Sequence, residues 1–148
     1  DGDLGKIAVL VKLKVSDVTE GVKQLGKQIA MHVAATRPVS VSSKDVSPEL
    51  ISGEKAIFSE QAKASGKPEN IIEKMVEGRI RKFFEEVVLL DQAFVIDGKT
   101  KVSDAINEFN KSNNSDIEVV DFVRYELGEG VEKEESNFAD EVNAMAGS

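Results

Sequence analysis

Few side chains in this 148-residue sequence have the types and the spacing that catalysis requires. A histidine can act as a general base or bind a metal ion, but His32 is the single histidine and cysteine is absent, which excludes a histidine cluster and a thiolate site. The adjacent acidic pairs Glu85-Glu86 and Glu134-Glu135 point in different directions on a helix and cannot share a substrate. We therefore expect no enzymatic activity, no catalytic residue, no metal site and no cofactor.

Signals for phosphate, nucleic-acid and membrane binding are equally weak. Gly128-Glu129-Gly130 fits neither nucleotide-binding fingerprint and is not followed by a basic residue. The basic residues Arg79, Arg81 and Lys82 are interleaved with acids, which is typical of the rim of a coiled coil. Because the net charge is −8 and no run approaches the ~18 apolar residues of a membrane helix, we expect neither nucleic acid nor a membrane as partner.

The first element that could position a functional residue is a predicted strand from Leu4 to Val15. Every second residue is apolar and the lysines between them face the other side, a pattern typical of an antiparallel sheet with one solvated face. The apolar face comprises Ile7, Val9, Val11, Leu13 and Val15, and the lysines are Lys6, Lys12 and Lys14.

A helix is predicted next, with Asp17 as its cap and an end near Thr36, because Pro38 disfavours helical geometry in the residue before it. His32 lies at the rim of the apolar stripe of this helix, about 60° from its centre at about 100° per residue. The pattern alone favours a partly buried helix histidine, and a contact residue at a protein interface is the alternative. The stripe consists of Val18, Val22, Leu25, Ile29 and Val33.

A helical hairpin is predicted between residues 47 and 90. Ser47-Pro48-Glu49 supplies a capping hydroxyl and a proline for the first turn, and Ser65-Gly66-Lys67-Pro68 reverses the chain. In the second arm apolar residues recur at alternating intervals of four and three, as in a helix that packs along a narrow seam. These residues are Val76, Ile80, Phe83, Val87 and Leu90. Because both arms are mostly charged, we expect the hairpin to protrude.

The remaining chain is predicted to form a turn at Asp97-Gly98, a short helix, and a strand over residues 117–127 in which Val119 and Val123 share a face. A final helix follows Ser136-Asn137 and carries Phe138, Val142 and Met145 on one side. These elements predict an α+β fold with a small antiparallel sheet packed with helices, plus the protruding antiparallel hairpin.

Three blocks of the sequence resemble the elongation factor Ts family. The first is IAMHVAATRP from Ile29, the second is SGKPENIIEKMVEGRIRKFFEEVVLLDQAFV from Ser65, and the third is FVRYELGEGVEKEESNFADEV from Phe122. The blocks follow the family's order and spacing and together span essentially the whole chain, which chance does not explain.

The resemblance implies four parts. Residues 1–46 are the first part of the family's second core half-domain, residues 47–90 its helical hairpin, residues 91–127 the remainder of the half-domain, and residues 128–148 its C-terminal helical module. The family's N-terminal module and first half-domain have no counterpart in this sequence. Since the chain also begins with Asp1 rather than Met, we expect a fragment, a processed product or a trimmed chain.

The resemblance also implies a role in translation elongation, because the family is the guanine nucleotide exchange factor for elongation factor Tu. In the family, the Asp and Phe of a Thr-Asp-Phe-Val motif push into the nucleotide domain of that partner and disturb its magnesium site. This sequence contains no Thr-Asp-Phe-Val motif. We therefore expect a C-terminal fragment that docks weakly on elongation factor Tu without accelerating GDP release.

Candidate binding residues follow from the same resemblance. The helix with Met31, His32 and Val33 would lie on the face that meets the third domain of elongation factor Tu. The final helix would contact the nucleotide domain of that partner through Phe138, Val142 and Met145. The resemblance also implies a cytoplasmic location, with a mitochondrial or plastid one left open.

A structural self-association module is the alternative function. The homodimer could form through the hairpin seam at Val76, Ile80 and Phe83, or through the exposed sheet face around Lys12 and Lys14. The sequence does not choose between these two surfaces.

Overall fold

The computed structural model describes residues 6–127, and in that range four α-helices accompany a two-stranded antiparallel sheet. The strands are β1 (Ile7–Lys14) and β2 (Glu118–Glu126). The helices are α1 (Glu20–Thr36), α2 (Pro48–Lys63), α3 (Glu69–Val87) and α4 (Val102–Asn113), with short 3-10 turns at Ser43–Asp45 and Leu89–Asp91. The predicted α+β fold with a small antiparallel sheet is confirmed.

The two strands pair in a register that a bulge interrupts. Leu10 lies opposite Val123 and Leu13 lies opposite Val119, with a shift between Lys12 and Leu13 that leaves Val120 as the extra residue. The extra residue reverses the alternation, so Val119 and Phe122 both pack on the core while Val123 is exposed. The prediction that Val119 and Val123 share a face is therefore wrong.

Helix α1 forms the centre of the core. Its N-cap is Thr19, whose hydroxyl accepts a hydrogen bond from the Val22 N–H at 3.2 Å, so the prediction of Asp17 as the cap is wrong. Arg37 ends the helix in a left-handed conformation, with its N–H donated to the Val33 carbonyl at 3.1 Å. The buried core consists of Val22, Leu25, Ile29, Val33, Leu89, Phe94, Val102, Ile106, Ile117 and Val119.

Helices α2 and α3 form the antiparallel hairpin. The hydroxyl of Ser47 accepts a hydrogen bond from the Leu50 N–H at 3.1 Å, and Pro48 occupies the first helical turn, as the sequence predicts. Gly66 adopts a φ of 67° in the reversal, a left-handed conformation that glycine reaches without strain. Ala62 and Ile80 are the buried residues of the two helices, so most of the hairpin surface faces solvent. The division of the chain at residues 46, 90 and 127 stays a prediction.

The exit from the hairpin runs beside an extended segment that follows α1. Val39 donates its N–H to the Val87 carbonyl at 2.8 Å, and Leu89 donates to the Ser40 carbonyl at 2.9 Å. Leu90 continues the ladder by donating to the Val41 carbonyl at 3.1 Å. This short ladder brings residues 88–95 against α1, which is where the candidate site lies.

Candidate partner-binding site

The structure places the three predicted contact residues of α1 in different environments. Met31 is 60% exposed, whereas His32 and Val33 are both 0% exposed. The prediction that His32 lies at the rim of the apolar stripe is wrong, because Gln92 and Phe94 cover that side of the helix. The Phe94 ring is tilted against the imidazole with the ring centroids 5.7 Å apart. A partner that docks on this helix would contact Met31 rather than the side chains of His32 or Val33.

Both ring nitrogens of His32 have a hydrogen-bond partner. The backbone N–H of Val95 donates to Nδ1 at 3.1 Å, so Nδ1 carries no proton. The proton of the neutral ring is therefore on Nε2, which donates to the side-chain oxygen of Gln92 at 2.8 Å. Burial lowers the pKa of His32 and the hydrogen bond to Gln92 opposes that shift. The imidazole is thus held neutral, as a fixed link between α1 and residues 92–95.

Gln92 completes this buried network. Its Oε1 accepts hydrogen bonds from His32 and from the Thr36 hydroxyl, which is 3.0 Å away, and its Nε2 donates to the Glu86 carbonyl at 2.7 Å. The Thr36 hydroxyl also lies 2.8 Å from the His32 carbonyl. One amide therefore joins the last turns of α1 and α3. Within the described range no buried side-chain nitrogen or oxygen lacks a partner, as a stable polar network in a core requires.

Several hydrogen bonds hold the turn after Phe94, which carries exposed apolar side chains. Gly98 donates its N–H to the Phe94 carbonyl at 2.7 Å and has a φ of 68°. The Asp97 carboxylate accepts the N–H groups of Lys99 and Thr100 at 2.9 and 3.0 Å. The Thr100 hydroxyl, followed by these two N–H groups, lowers the pKa of Asp97. These bonds define the backbone conformation of the turn.

Exposed apolar side chains lie next to the buried network in sequence, both in α1 and in the turn after Phe94. Met31 immediately precedes His32 in α1, and Val95, whose N–H bonds the His32 ring, is followed by Ile96. Val95 and Ile96 are both exposed. We call Met31, Val95 and Ile96 the turn patch. The sequence identified Met31, but it gave no signal for Val95 and Ile96, whose position depends on a contact with a residue more than sixty positions earlier.

The C-terminal end of α1 carries a charged cluster that the sequence did not reveal. Arg124 reaches from β2 and donates from Nε and Nη2 to the Ala34 carbonyl, both at 3.3 Å. Glu126 accepts from Arg124 at 3.2 Å and from Arg37 at 2.9 Å. The guanidinium of Arg124 thus satisfies a carbonyl of the last helical turn, which would otherwise lack a partner. The cluster fixes the end of α1 against the sheet.

Two of the three predicted self-association residues of the hairpin share one groove. Val76 and Ile80 line a groove along the hairpin, and Ile80 is buried in it, whereas Phe83 lies outside this groove and contacts the ring of Phe84. Phe84 itself lines the groove. The full lining is Lys55, Ser59, Ile72, Glu73, Val76, Glu77, Ile80, Arg81 and Phe84.

The solvated face of the sheet is more apolar than its lysines suggest. Leu10 and Tyr125 are the most exposed apolar side chains of β1 and β2, and Val123 lies beside them opposite Leu10. Lys12 follows on the same face, opposite Asp121. A contiguous apolar patch of this kind marks a surface that can be covered by protein.

Several expectations lie beyond what the structure describes. Phe138, Val142 and Met145 of the predicted final helix fall outside residues 6–127. Within that range, no group of three or more histidine and acidic side chains is arranged to hold a metal ion. None of the helices between Lys6 and Leu127 is long and apolar enough to cross a bilayer.

The model of the family described as Elongation factor TS matches residues 2–129. The protein named Elongation factor Ts from Bartonella henselae is 54% identical over 143 residues, which cover 97% of this chain and 47% of that protein.

Two further relatives agree. Elongation factor Ts of Sinorhizobium medicae is 55% identical over 143 residues, covering 97% of this chain and 47% of that protein. Elongation factor Ts of Rhodospirillum centenum is 50% identical over 145 residues, covering 98% of this chain and 47% of that protein. The chain thus spans about half the length of the curated relatives that it matches. A family match over residues 2–129, together with these identities, shows that the chain belongs to the elongation factor Ts family.

Proposed function

We propose that the chain acts in translation elongation as a binding module for elongation factor Tu, and that it docks without accelerating guanine nucleotide release. The observation that carries this proposal is the family match over residues 2–129, with identities of 50–55% to proteins named Elongation factor Ts. The family resemblance supplies the partner. The geometry of α1 and of the turn after Phe94 supplies a surface on which that partner can dock.

The turn patch is the proposed contact surface. Met31, Val95 and Ile96 are exposed apolar side chains on a backbone that hydrogen bonds hold in place. Such preordered apolar groups bind with little loss of conformational entropy. His32 is a positioning residue in this proposal, since its Nδ1 holds the backbone of Val95 while its side chain stays buried.

The proposed lack of exchange activity rests on the absence from this sequence of the Thr-Asp-Phe-Val motif, which in the family disturbs the magnesium site of the partner. The nearest counterpart is Asp121-Phe122-Val123 in β2, which has three of the four letters. The Phe122 ring packs on the core and the Asp121 carboxylate accepts the Phe122 N–H at 2.8 Å. A side chain that fills its own core is not available for insertion into a partner. Docking energy alone does not weaken nucleotide binding, because exchange requires tighter binding to the nucleotide-free state.

The contact surface is tested by measuring the affinity of single variants for elongation factor Tu. Met31→Lys places a charge in the proposed interface and should weaken binding at least about tenfold, as is usual for a central apolar contact. Ile57→Lys is the matched control, because Ile57 is an apolar helix residue of similar exposure, 51% against 60% for Met31, on the hairpin arm α2. Equal effects of the two substitutions would remove the turn patch from the interface.

The positioning role of His32 needs a separate test. His32→Ala removes the acceptor of the Val95 N–H and should weaken binding, while Met31→Ala should weaken it without changing the fold. Amide chemical shifts of residues 94–98 distinguish the two effects, since only the His32 variant should move them. Unchanged affinity in His32→Ala would refute this role.

The absence of exchange activity is tested by stopped-flow release of a fluorescent GDP from elongation factor Tu. We expect the same release rate with and without a saturating amount of the chain. A full-length curated relative serves as the positive control. Acceleration by the chain that is comparable to the full-length factor would contradict this part of the proposal.

Self-association is the second candidate function, and the hairpin groove favours it. Half-buried Val76 and buried Ile80 line the groove together with Glu77 and Arg81, so a second copy in antiparallel orientation could match both the apolar and the charged groups. Sedimentation at increasing concentration, without the partner, should then show a dimer. Val76→Glu should abolish it, and Leu10→Ser should abolish it instead if the sheet face is the interface.

A further inference from the structure

A series of three hydrogen bonds runs from the end of α3 through the core to the turn patch. The Glu86 carbonyl accepts from Gln92 Nε2 at 2.7 Å, and Gln92 Oε1 lies 2.8 Å from His32 Nε2. The other ring nitrogen, His32 Nδ1, lies 3.1 Å from the backbone nitrogen of Val95. We call this series the relay. It connects a helix end to the backbone of an exposed residue.

Both ends of the relay have a fixed polarity. A backbone carbonyl can only accept a hydrogen bond, and a backbone N–H can only donate one. The Glu86 carbonyl therefore requires the amide nitrogen of Gln92, which leaves the amide oxygen for His32. The Val95 N–H requires an unprotonated Nδ1, so the ring proton must be on Nε2. One orientation of the amide and one form of the imidazole satisfy all three bonds.

Burial prevents other arrangements. Gln92 is 3% exposed and His32 is 0% exposed, so water cannot replace a partner that is lost inside the relay. A charged imidazole carries a hydrogen on both nitrogens. Its Nδ1–H would point at the Val95 N–H, and two donors cannot form a hydrogen bond with each other. A charged His32 therefore has to release the backbone of Val95.

The partner of the His32 ring in the relay is a neutral amide. No salt bridge between residues 6 and 127 involves the ring, and burial, opposed by the hydrogen bond to Gln92, lowers the pKa of His32. Of the charged residues on the surrounding elements, half-buried Asp91 is the least exposed, and solvent screens the others. These charged residues are Lys27 and Arg37 of α1, Glu86 of α3, and Asp91 and Asp97 on either side of Phe94.

We propose that Gln92 is a positioning residue for docking, because its amide holds His32 in the one form that can accept the Val95 N–H. This role rests on the docking function proposed above and assigns it a further residue. Val95 and Ile96 are exposed members of the turn patch, so loss of the bond to Val95 loosens part of the contact surface. A surface that must be ordered again on binding has a lower affinity.

Gln92→Glu tests the amide, because it replaces the donor group by a carboxylate oxygen at nearly constant size. The carboxylate still accepts the Nε2–H, but it favours the charged imidazole and should raise the pKa of His32 above that of the parent chain. Between about pH 9 and about pH 6.5 the affinity for elongation factor Tu, relative to the parent at each pH, should fall roughly fivefold, the equivalent of one ordinary hydrogen bond. At about pH 9 the imidazole is neutral, and the variant should bind within about twofold of the parent.

Nitrogen-15 spectra of the chain alone give a readout that does not need elongation factor Tu. The two ring nitrogens of His32 give well-separated signals when the ring is neutral and similar signals when it is charged. In Gln92→Glu we expect the ring signals, the Val95 amide signal and the relative affinity to change at the same pH. That pH should be higher than the one at which the ring of the parent is protonated.

Gln61→Glu is the matched control, since it makes the same substitution at an exposed position of α2. It should leave the ring signals and the pH profile of binding as they are in the parent. A far-ultraviolet circular dichroism spectrum like that of the parent shows that each variant is folded. If Gln92→Glu does not fold, the parent provides the second test. On acidification its Val95 amide signal should move together with the ring signals while the circular dichroism spectrum is still unchanged.

Three results would overturn the proposal. One is a His32 ring that is protonated in Gln92→Glu at no higher pH than in the parent. Another is a ring that is protonated, in either chain, without any change of the Val95 amide signal. The third is an affinity that stays constant while the ring and the amide change. If the parent does not bind elongation factor Tu at all, the docking function fails, and the spectra still show whether Gln92 controls His32 and Val95.

Discussion

Gln92→Leu is the substitution that probes the buried network most directly. Gln92 is 3% exposed and its amide makes three hydrogen bonds, with His32, Thr36 and the carbonyl of Glu86. Leucine is of similar size but offers neither an acceptor nor a donor. The substitution leaves the Nε2–H of a fully buried imidazole without an acceptor, whereas the Thr36 hydroxyl keeps the His32 carbonyl as partner.

The magnitude follows from these bonds. An orphaned buried donor costs about 1–3 kcal/mol, and loss of the bond to the Glu86 carbonyl adds about 1 kcal/mol. We expect the free energy of unfolding to fall by about 2–4 kcal/mol, which lowers the melting temperature by on the order of 10 °C in a chain of this size. Urea unfolding followed by circular dichroism at 222 nm measures the first quantity, and a thermal scan measures the second.

Two variants sharpen this prediction. Glu86→Ala is the control, because Glu86 contributes only its backbone carbonyl and its side chain is exposed, so its effect should stay within about 0.5 kcal/mol. His32→Leu combined with Gln92→Leu should cost less than the sum of the two single substitutions, because no orphaned imidazole remains. A Gln92→Leu chain as stable as the parent, or strict additivity in the double variant, would refute the reasoning.

Three further predictions concern pH, a helix cap and a glycine. Burial lowers the pKa of His32 from its ordinary value of 6.5, so below that pH the unfolded chain binds more protons than the folded chain. The contribution of His32 to the free energy of unfolding should therefore be complete above about pH 6.5. On acidification the free energy of unfolding should fall by up to about 1.4 kcal/mol per pH unit until the folded-state pKa is reached. Urea unfolding at pH 7.5 and pH 5.5 tests this, and the drop should vanish in His32→Gln, which contains no histidine. Ser47→Ala removes the cap of α2 and should lower the free energy of unfolding by about 0.5–2 kcal/mol. Ser47→Thr keeps a capping hydroxyl and should largely avoid this loss. An unchanged urea midpoint in Ser47→Ala would argue against the cap. Gly21→Val should lower the melting temperature more than Gly53→Val does. A Cβ atom at Gly21 would lie 3.2 Å from the Phe109 ring, while Gly53 has open space around it. Equal melting temperatures of the two variants would show that Phe109 moves aside at no cost.

Local signals in the sequence were sufficient for most elements of the fold. The alternation around Val9 and Val11, the cap at Ser47 and the reversal at Gly66 each depend on neighbours in sequence, and the structure has all three. The cap of α1 was misplaced because Asp17 and Thr19 are both good capping residues, and only the position of the first turn chooses between them.

Features that depend on distant contacts were not predictable. The bulge at Val120 arises from the pairing of β1 with β2, and no property of the β2 sequence marks it. His32 is buried because Gln92 and Phe94 fold over it, so its helical position alone placed it wrongly at a rim. The candidate site has the same limit, since Met31 could be named from a sequence block, whereas the exposed Val95 and Ile96 could not.

The central claim, that this chain docks on elongation factor Tu without sensing its nucleotide, is tested most directly by isothermal titration calorimetry. The chain is titrated into the nucleotide-free and the GDP-bound forms of that protein, with a full-length curated relative as control. The account predicts binding to both forms with the same affinity within about twofold, because a larger ratio would by linkage imply an effect on GDP affinity. No binding to either form would contradict docking, and a preference of tenfold or more for the nucleotide-free form would contradict the claim that this half of the factor does not sense nucleotide.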